Sequence, residues 1–469
     1  MIAIRRQEAG MALLAVLVIL LAVAGSSSSF IWFMDQQQTH AGKRYRATAA
    51  MAAAEAGVHR ALSILESASP DDGSPGRTWR PAAYSETLQV GTLAGRFTLS
   101  LTDDDDGAVI VASEGQVGGV TRRLRARVYL ASPALLAALN GASVVRFESE
   151  RAGTLIVHYD AGTGDRPWVH VAAGQEIWLA TTGVSINDPS GMFSTGPGPR
   201  DTLGGAVPDI AGYRPGPVQL QLARGAELTL GDTHHRVDVQ QLRSMGVYLV
   251  GQVVQIDAKP GPPEVDRAFF QQRAARNLDN ANLNEAAGKF FGDRDLADKR
   301  DSLYFRSEFE KVQTYLQAQR TPPALRGVIY VRDGVSLPDG SRLQLVEGAL
   351  ITDGSVNVGP GASLEVTHSP ATRMLPGIIA FDTGTLVVAH GAHLRVHGLV
   401  YVNRVIDIGD GARVDIVGAV LGNDPGLSFR NHAATVVIRY DPAVLGTPGL
   451  RVSSGAPVVA WVANWEELP

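Results

Sequence analysis

The sequence predicts a mainly β protein. One long N-terminal α-helix leads into a small antiparallel β unit and then a right-handed parallel β-helix with a helical insertion. Three observations support this prediction: an apolar stretch that runs into a proline-free, alanine-rich segment, a set of short alternating strands, and glycine-led apolar strands that recur about every 20 residues near the C-terminus. The 469 residues suffice for roughly three domains.

The composition excludes several classes of function. Lys and Arg number 42 and Asp and Glu 47, so the net charge of −5 provides no overall attraction for nucleic acid, and we expect no such partner. The 51 glycines, 25 prolines and 19% charged residues argue against a long coiled coil, while 45% hydrophobic residues argue against disorder. The absence of cysteine excludes disulfides, thiolate-bound metals and thiol catalysis, and we expect no cofactor.

Residues 11–34 form the apolar stretch of the first helix. No charged residue occurs between Glu8 and Asp35, and Phe30–Met34 adds aromatic side chains at the far end. A helix over these 24 residues is about 36 Å long, which is enough to cross a bilayer. We therefore expect a transmembrane helix over 11–34, and an ordinary signal peptide cut after Ala24 is the alternative.

Residues 35–68 continue this helix as an amphipathic segment. Apolar residues recur with steps of three and four, which places them on one face, while Glu55 falls on another face. The apolar seam consists of Ala47, Met51, Ala54, Val58, Ala61 and Leu65. A removable signal peptide needs no such continuation, so the pattern favours a helix that stays attached.

Two motifs in this region resemble a known family. The stretch RRQEAG before the apolar run resembles the class III leader of type IV pilins and type II secretion pseudopilins, and MAAAEAG at residues 51–57 resembles the signature of PilX-like minor pilins. The resemblance covers residues 5–65 and extends loosely to 131. It implies a leader at residues 1–10, which a prepilin peptidase removes between Gly10 and Met11.

The resemblance also implies partners and a location. The helix would pack against the helices of other major or minor pilin subunits. The protein would cross the inner membrane once before assembly and then lie in the pilus or at the cell surface, with its body outside the cytoplasm. Whether the machine is a pilus or a type II secretion system stays open.

Ala15 departs from the family pattern. Pilins usually carry a glutamate five residues after the cut, and this carboxylate pairs with the terminal amine of a neighbouring subunit. A charged carboxylate in hydrocarbon costs about 2.5 kcal/mol or more unless it is paired. Family members that lack it start filaments or cap the tip, so Ala15 implies a role in initiation or at the tip. Otherwise Ala15 is one more apolar residue of a plain membrane anchor.

Residues 86–131 predict a small antiparallel β unit. Residues 97–101 alternate between apolar and polar, Asp103–Gly107 turns, and 108–112 and 122–130 supply further strands. The four consecutive aspartates Asp103–Asp106 leave two interpretations open, a solvated turn or a calcium site, and the turn is favoured because no EF-hand spacing follows.

The C-terminal third contains the repeat. Five apolar strands begin with a glycine, namely Gly327, Gly348, Gly377, Gly398 and Gly418, and a second set begins Gly361-Ala, Gly391-Ala and Gly411-Ala. In the second set, residues 364, 366, 394, 396, 414 and 416 should point inward and residues 365, 395 and 415 outward. The pattern predicts a parallel β-helix over 325–460.

The rest of the body should belong to the same β-helix. Weaker copies of the repeat at residues 140–256 predict early coils, and the Gly- and Pro-rich segment 192–217 predicts a surface loop. Residues 264–320 predict a helical insertion, which is a candidate cap of the β-helix. The ending from Tyr440 to Trp465 should cover the last coil.

We expect no enzyme activity and no catalytic, cofactor or metal residue. Many β-helices act on polysaccharides, and Asp407, Asp410 and Asp415 could form a carboxylate cluster, but corner turns and strand alternation explain all three. The histidines at 234, 235, 390, 393 and 397 lack a third acidic ligand at a readable spacing. The sequence thus favours a minor pilin or pseudopilin-like subunit, and the alternative is a tethered or secreted β-helix protein that binds or acts on polysaccharide.

Overall fold

The computed structural model describes most of the chain. Its backbone covers residues 2–66, 76–104, 107–141 and 263–468, except 370, 371, 373, 383, 424, 425, 433 and 453–457, together with ten strands between 137 and 256. Side chains are described within these ranges for residues 16–145 and 263–468, apart from a few positions, and not for 146–262. The predicted loop at 192–217 lies outside the described residues.

The N-terminal helix α1 runs without interruption from Ile2 to Glu66, over 65 residues. Three serines at its centre do not break it, because each hydroxyl donates a hydrogen bond to a carbonyl one turn back. One of them, Ser26 Oγ, lies 2.8 Å from Ala22 O.

A five-stranded antiparallel sheet follows, with the strand order β1-β2-β3-β4-β30. Its strands are β1 (Tyr84–Val90), β2 (Leu93–Asp103), β3 (Val109–Val117), β4 (Val120–Ala131) and β30 (Val459–Leu468). Buried residues alternate along β2 and β3, so one face packs on α1 and the other faces solvent.

The position of the C-terminal strand differs from the prediction that the solenoid extends to 460. Val444 and Leu445 pack against the solenoid core, as expected of residues after Tyr440. The solenoid does not extend to 460, because β30 pairs with β4 from Ala131 to Arg123. Strand alternation cannot reveal a partner more than 300 residues away.

The later coils of the solenoid form a stack of parallel strands. They are β17 (Leu325–Val331), β18 (Val335–Leu337), β19 (Arg342–Thr352), β20 (Val356–Val358), β21 (Ser363–Thr367), β22 (Ile378–Ala380), β23 (Leu386–Val388), β24 (His393–Val402), β25 (Val405–Ile408), β26 (Arg413–Gly422), β27 (Gly426–Asn431) and β28 (Thr435–Tyr440). The predicted fold class, a long helix, a small antiparallel sheet and a parallel β-solenoid, is confirmed.

The register of these strands follows the repeat, with one difference. The inward positions, such as Leu364 paired with Leu394 and Leu394 with Val414, are fully buried. The copy that begins at Gly377 is shifted by one residue, because Ile378 pairs with Leu350.

The early coils stack on the end of the later ones. Their strands are β5 (Ala137–Gly141), β6 (Val144–Ser149), β7 (Thr154–Tyr159), β8 (Val169–Ala173), β9 (Glu176–Leu179), β10 (Val184–Ile186), β11 (Val218–Ala223), β12 (Glu227–Leu230), β13 (Thr233–Arg236) and β14 (Gly251–Ile256). β5, β6 and β7 pair in parallel with β26, β27 and β28. The order of coils in space therefore differs from their order in the chain.

The helical insertion caps the opposite end of the stack. It contains α2 (Arg267–Arg276), α3 (Ala281–Phe291), α4 (Arg294–Asp298) and α5 (Arg306–Ala318), with the short strands β15 (Glu264–Val265) and β16 (Leu303–Tyr304). β16 pairs with β17, and β15 pairs with β29 (Leu450–Arg451). Buried residues of these helices, among them Phe270 and Phe309, join the solenoid core.

Candidate assembly site: the N-terminal helix and its docking sheet

The first half of α1 is bare. Its large apolar side chains from Val16 to Met34 are between 43% and 68% exposed, and its most apolar 18-residue window has a mean hydropathy of 2.1 with none of it buried. These 19 residues span about 28 Å of helix, close to the thickness of the bilayer hydrocarbon. By length and composition, this helix can cross a membrane.

The second half of α1 packs on the antiparallel sheet of its own chain. Four of the predicted seam residues are completely buried there: Ala54, Val58, Ala61 and Leu65. These four therefore stabilise the chain itself, and contacts with neighbouring subunits stay a prediction for the half-buried Ala47 and Met51. Glu55 is exposed on another face of the helix, as its position in the pattern predicts.

The helix approaches the sheet closely because small residues line both surfaces. A Cβ added to Gly115 on β3 would lie 2.1 Å from Ala50 O, and one added to Gly57 on the helix would lie 2.3 Å from Ser113 Oγ. The buried Ser113 hydroxyl donates a hydrogen bond to Ala54 O over 2.7 Å. The alanines and glycine of MAAAEAG thus serve to bring two backbones together.

The residues of the sheet that meet the helix were not predicted from the sequence. Ser113 and Gly115 lie in a strand otherwise rich in valine, and an interior glycine in a strand is a signal of close backbone approach. The buried helix residues Ala50 and Ala53 were also missed, because alanine contributes little to an apolar periodicity.

The predicted leader residues lie inside the helix. Gly10, Met11 and Ala15 are helical, and their side chains are outside the described set. Cleavage between Gly10 and Met11 stays a prediction.

Two of the three candidate solenoid carboxylates, Asp407 and Asp415, have basic partners. Asp415 accepts a hydrogen bond from Arg439 at 3.0 Å, and Asp407 lies 3.3 Å from His432. Both face outward on successive coils, as strand alternation predicts. Among the described residues, no group of three or more His, Asp or Glu could hold a metal ion.

His397 belongs to a small cluster that the sequence did not predict as a unit. Burial, helped by the neighbouring Arg395, lowers the pKa of His397. Burial and the nearby His397 lower the pKa of His368 to about 4. Glu347 accepts hydrogen bonds from Thr372 and Ser369 at the same place, and these bonds lower its pKa. The predicted pair His234 and His235 lies on β13, outside the described side chains.

The aspartate run has arginine partners where it is described. Asp103 lies 2.7 Å from Arg80, and Asp104 lies 2.8 Å from Arg127. The backbone turns there, with Gly107 N donating to Asp104 O. These contacts fit the interpretation as a turn; Asp105 and Asp106 lie outside the described residues.

No protein-family model matches this chain, and no curated protein matches it. Among solved structures, it is similar to the competence-associated pilin ComZ from Thermus thermophilus, with 15% identity. The match covers 90% of this chain and 97% of that chain, with a TM-score of 0.24. At that TM-score the two backbones do not superpose closely as a whole.

Proposed function

We propose that this chain is a minor pilin or pseudopilin-like subunit of a type IV pilus or a related filament machine. The observation that carries the proposal is one continuous helix with a bare apolar first half and a second half docked on a sheet of the same chain. The leader-like stretch before Met11 and the PilX-like MAAAEAG segment support the same assignment.

The exposed apolar half of the helix must be shielded from water. Exposing a continuous apolar cylinder from Val16 to Met34 to water is unfavourable, at about 25 cal/mol for each Å² of apolar surface. The lipid of the inner membrane would cover it before assembly, and the helices of neighbouring subunits would cover it afterwards. A prepilin peptidase acting at Gly10 would connect these two states.

A position at the start or tip of the filament fits two features. Ala15 provides no carboxylate for the terminal amine of a neighbour, and the large solenoid between β4 and β30 would crowd every position within a regular filament. The proposed role of the solenoid is an exposed, non-enzymatic surface outside the cytoplasm.

Mass analysis of the mature N-terminus tests the assignment. We expect the chain to start at Met11, with or without N-methylation, in cells that contain the prepilin peptidase, and to keep residues 1–10 in cells that lack it. Gly10→Val should block this cut, whereas the matched variant Ala24→Leu, which removes the small residue that a signal peptidase requires and keeps the helix apolar, should leave it unchanged. A start at Gly25 that does not depend on the prepilin peptidase would contradict the proposal.

A further inference from the structure

The solenoid and its cap are inserted into the antiparallel sheet. The chain leaves the sheet after Ala131 at the end of β4 and returns at Val459 at the start of β30, and these two residues are partners in register. The 327 residues between them therefore separate two neighbouring strands of one small sheet.

The returning strand β30 contacts α1 directly. Ala460 is 6% exposed and lies in the same core cluster as the docked helix residues Val58 and Leu65. Its backbone N–H donates a hydrogen bond to Glu66 Oε1 at 2.9 Å, at the last residue of the helix. Further along the strand, the ring of Trp465 lies 6.3 Å from that of His59. The docking site of the helix is thus incomplete without the last strand of the chain.

The entropic cost of placing β30 beside β4 is low only after the solenoid has folded. Joining the ends of an unfolded loop of this length has a large entropic cost. The folded solenoid removes that cost, because the 3-10 turns at Pro133–Leu136 and Pro442–Gly446 contact each other. The buried Tyr440 hydroxyl fixes the same junction by donating to Leu135 O at 2.8 Å.

We propose that β30 couples completion of the solenoid to docking of α1. A chain whose solenoid is unfinished leaves the edge of β4 unpaired and lacks the hydrogen bond from Ala460 to Glu66, so the second half of α1 is held less firmly. The coupling follows from topology alone. Its consequence, that only complete subunits present a docked helix for assembly, rests on the proposed function.

Hydrogen exchange of the full chain in detergent micelles tests the coupling, with peptides covering residues 49–66 as the readout. Gly418→Val disrupts the solenoid core, because even a Cβ there would lie 2.1 Å from Gly398 O, and Gly418 pairs with Tyr440 at the junction and not with α1 itself. We expect exchange at 49–66 to rise about tenfold or more. The surface variant Glu365→Ala on the same solenoid should leave exchange at 49–66 unchanged.

A second variant acts at the strand itself and covers the case in which Gly418→Val does not fold. Ala460→Pro removes the N–H that bonds Glu66, and it should speed exchange at 49–66 while peptides from 378–402 keep their protection. Unchanged exchange at 49–66 in Ala460→Pro, or in a Gly418→Val chain whose solenoid has lost protection, would overturn the proposal. Either result would leave the leader-processing test unaffected.

Discussion

Gly115 and Gly57 are the residues on which the helix–sheet contact depends most closely. At both positions a side chain would occupy space that the facing element already fills. The cost of a larger residue here is steric, because a methyl group at Gly115 would meet the backbone of α1 and one at Gly57 would meet the side chain of Ser113. Small residues therefore determine the depth at which the helix docks.

Gly115→Ala should destabilise the folded protein by about 1–3 kcal/mol, because its Cβ would overlap Ala50 O and the helix would have to move. Urea unfolding in detergent, followed by tryptophan fluorescence, measures this. The control Gly42→Ala adds a methyl group where nothing lies within 4 Å, and it should be neutral or slightly stabilising. Equal stability of the Gly115 variant and the parent would show that the helix does not pack this closely.

His368 should make the stability of the solenoid depend on pH. Its folded pKa of about 4 is below the ordinary 6.5, so the unfolded chain takes up a proton first as the pH falls. Stability is therefore complete above about pH 6.5 and decreases as the pH falls toward 4. The pKa of His397 is also lowered, so its protonation decreases stability over the same pH range. Protonation of Glu347 decreases stability only near and below its ordinary pKa of 4.5.

His368→Leu should reduce the loss of unfolding free energy between pH 7.5 and pH 5 by about 2 kcal/mol. Denaturant unfolding at the two pH values gives this difference directly. His393→Gln, at an exposed position on the next coil, is the control and should leave the difference unchanged. A pH dependence identical to the parent in His368→Leu would contradict the burial of a neutral imidazole.

At the scale of elements, side-chain amides close the edge of the solenoid. The first strand β17 has β16 beside only its last two residues, Tyr330 and Val331. Over its earlier part, Asn277 donates to the carbonyls of Arg326 and Val328, and Asn280 bonds both backbone groups of Arg326. The helical cap thus forms hydrogen bonds with backbone groups of β17 that could otherwise pair with a strand of another chain.

Asn280→Ala should destabilise the protein by about 1–3 kcal/mol, because it removes three hydrogen bonds, among them the part-buried one that the Arg326 N–H donates. Thermal unfolding monitored by circular dichroism checks this. The neighbouring Asp279→Ala is exposed and serves as the matched control, for which we expect a change within about 0.5 kcal/mol. Similar effects of the two substitutions would rule out the capping role of the amide.

Charged residues on the outside of the coils support the same stacking. Glu365 lies 3.6 Å from Arg342 on one neighbouring coil and 3.5 Å from Arg395 on the other, and Asp415 pairs with Arg439. Opposite charges in adjacent register positions favour the observed alignment over a shifted one. Because these pairs are at the surface, each contributes at most about 1 kcal/mol.

At the scale of the molecule, the order of the coils along the solenoid differs from their order in the sequence. The helical cap begins the stack, the later coils follow, and the early coils continue it from β26 to β14. The last strand then returns to the sheet that carries α1. The solenoid is therefore attached to that sheet by two strands, which joins the exposed body firmly to the helix.

The features that the sequence predicted are local or periodic. An unbroken helix, alternation in β2–β4 and the register of Leu364, Leu394 and Val414 all follow from spacing along the chain, because a helix or a coil repeats the same geometry at every step. The small residues of MAAAEAG were visible too, but their function became clear only beside Gly115.

Contacts between distant segments were decided by the tertiary structure alone. The pairing of Ala131 with Val459 and of Leu139 with Val420 joins residues about 300 positions apart. Each of these strands carries an apolar pattern that would fit several edges. Which edge it joins depends on the closure of the whole chain and on the shape of the completed core, and no local spacing encodes either.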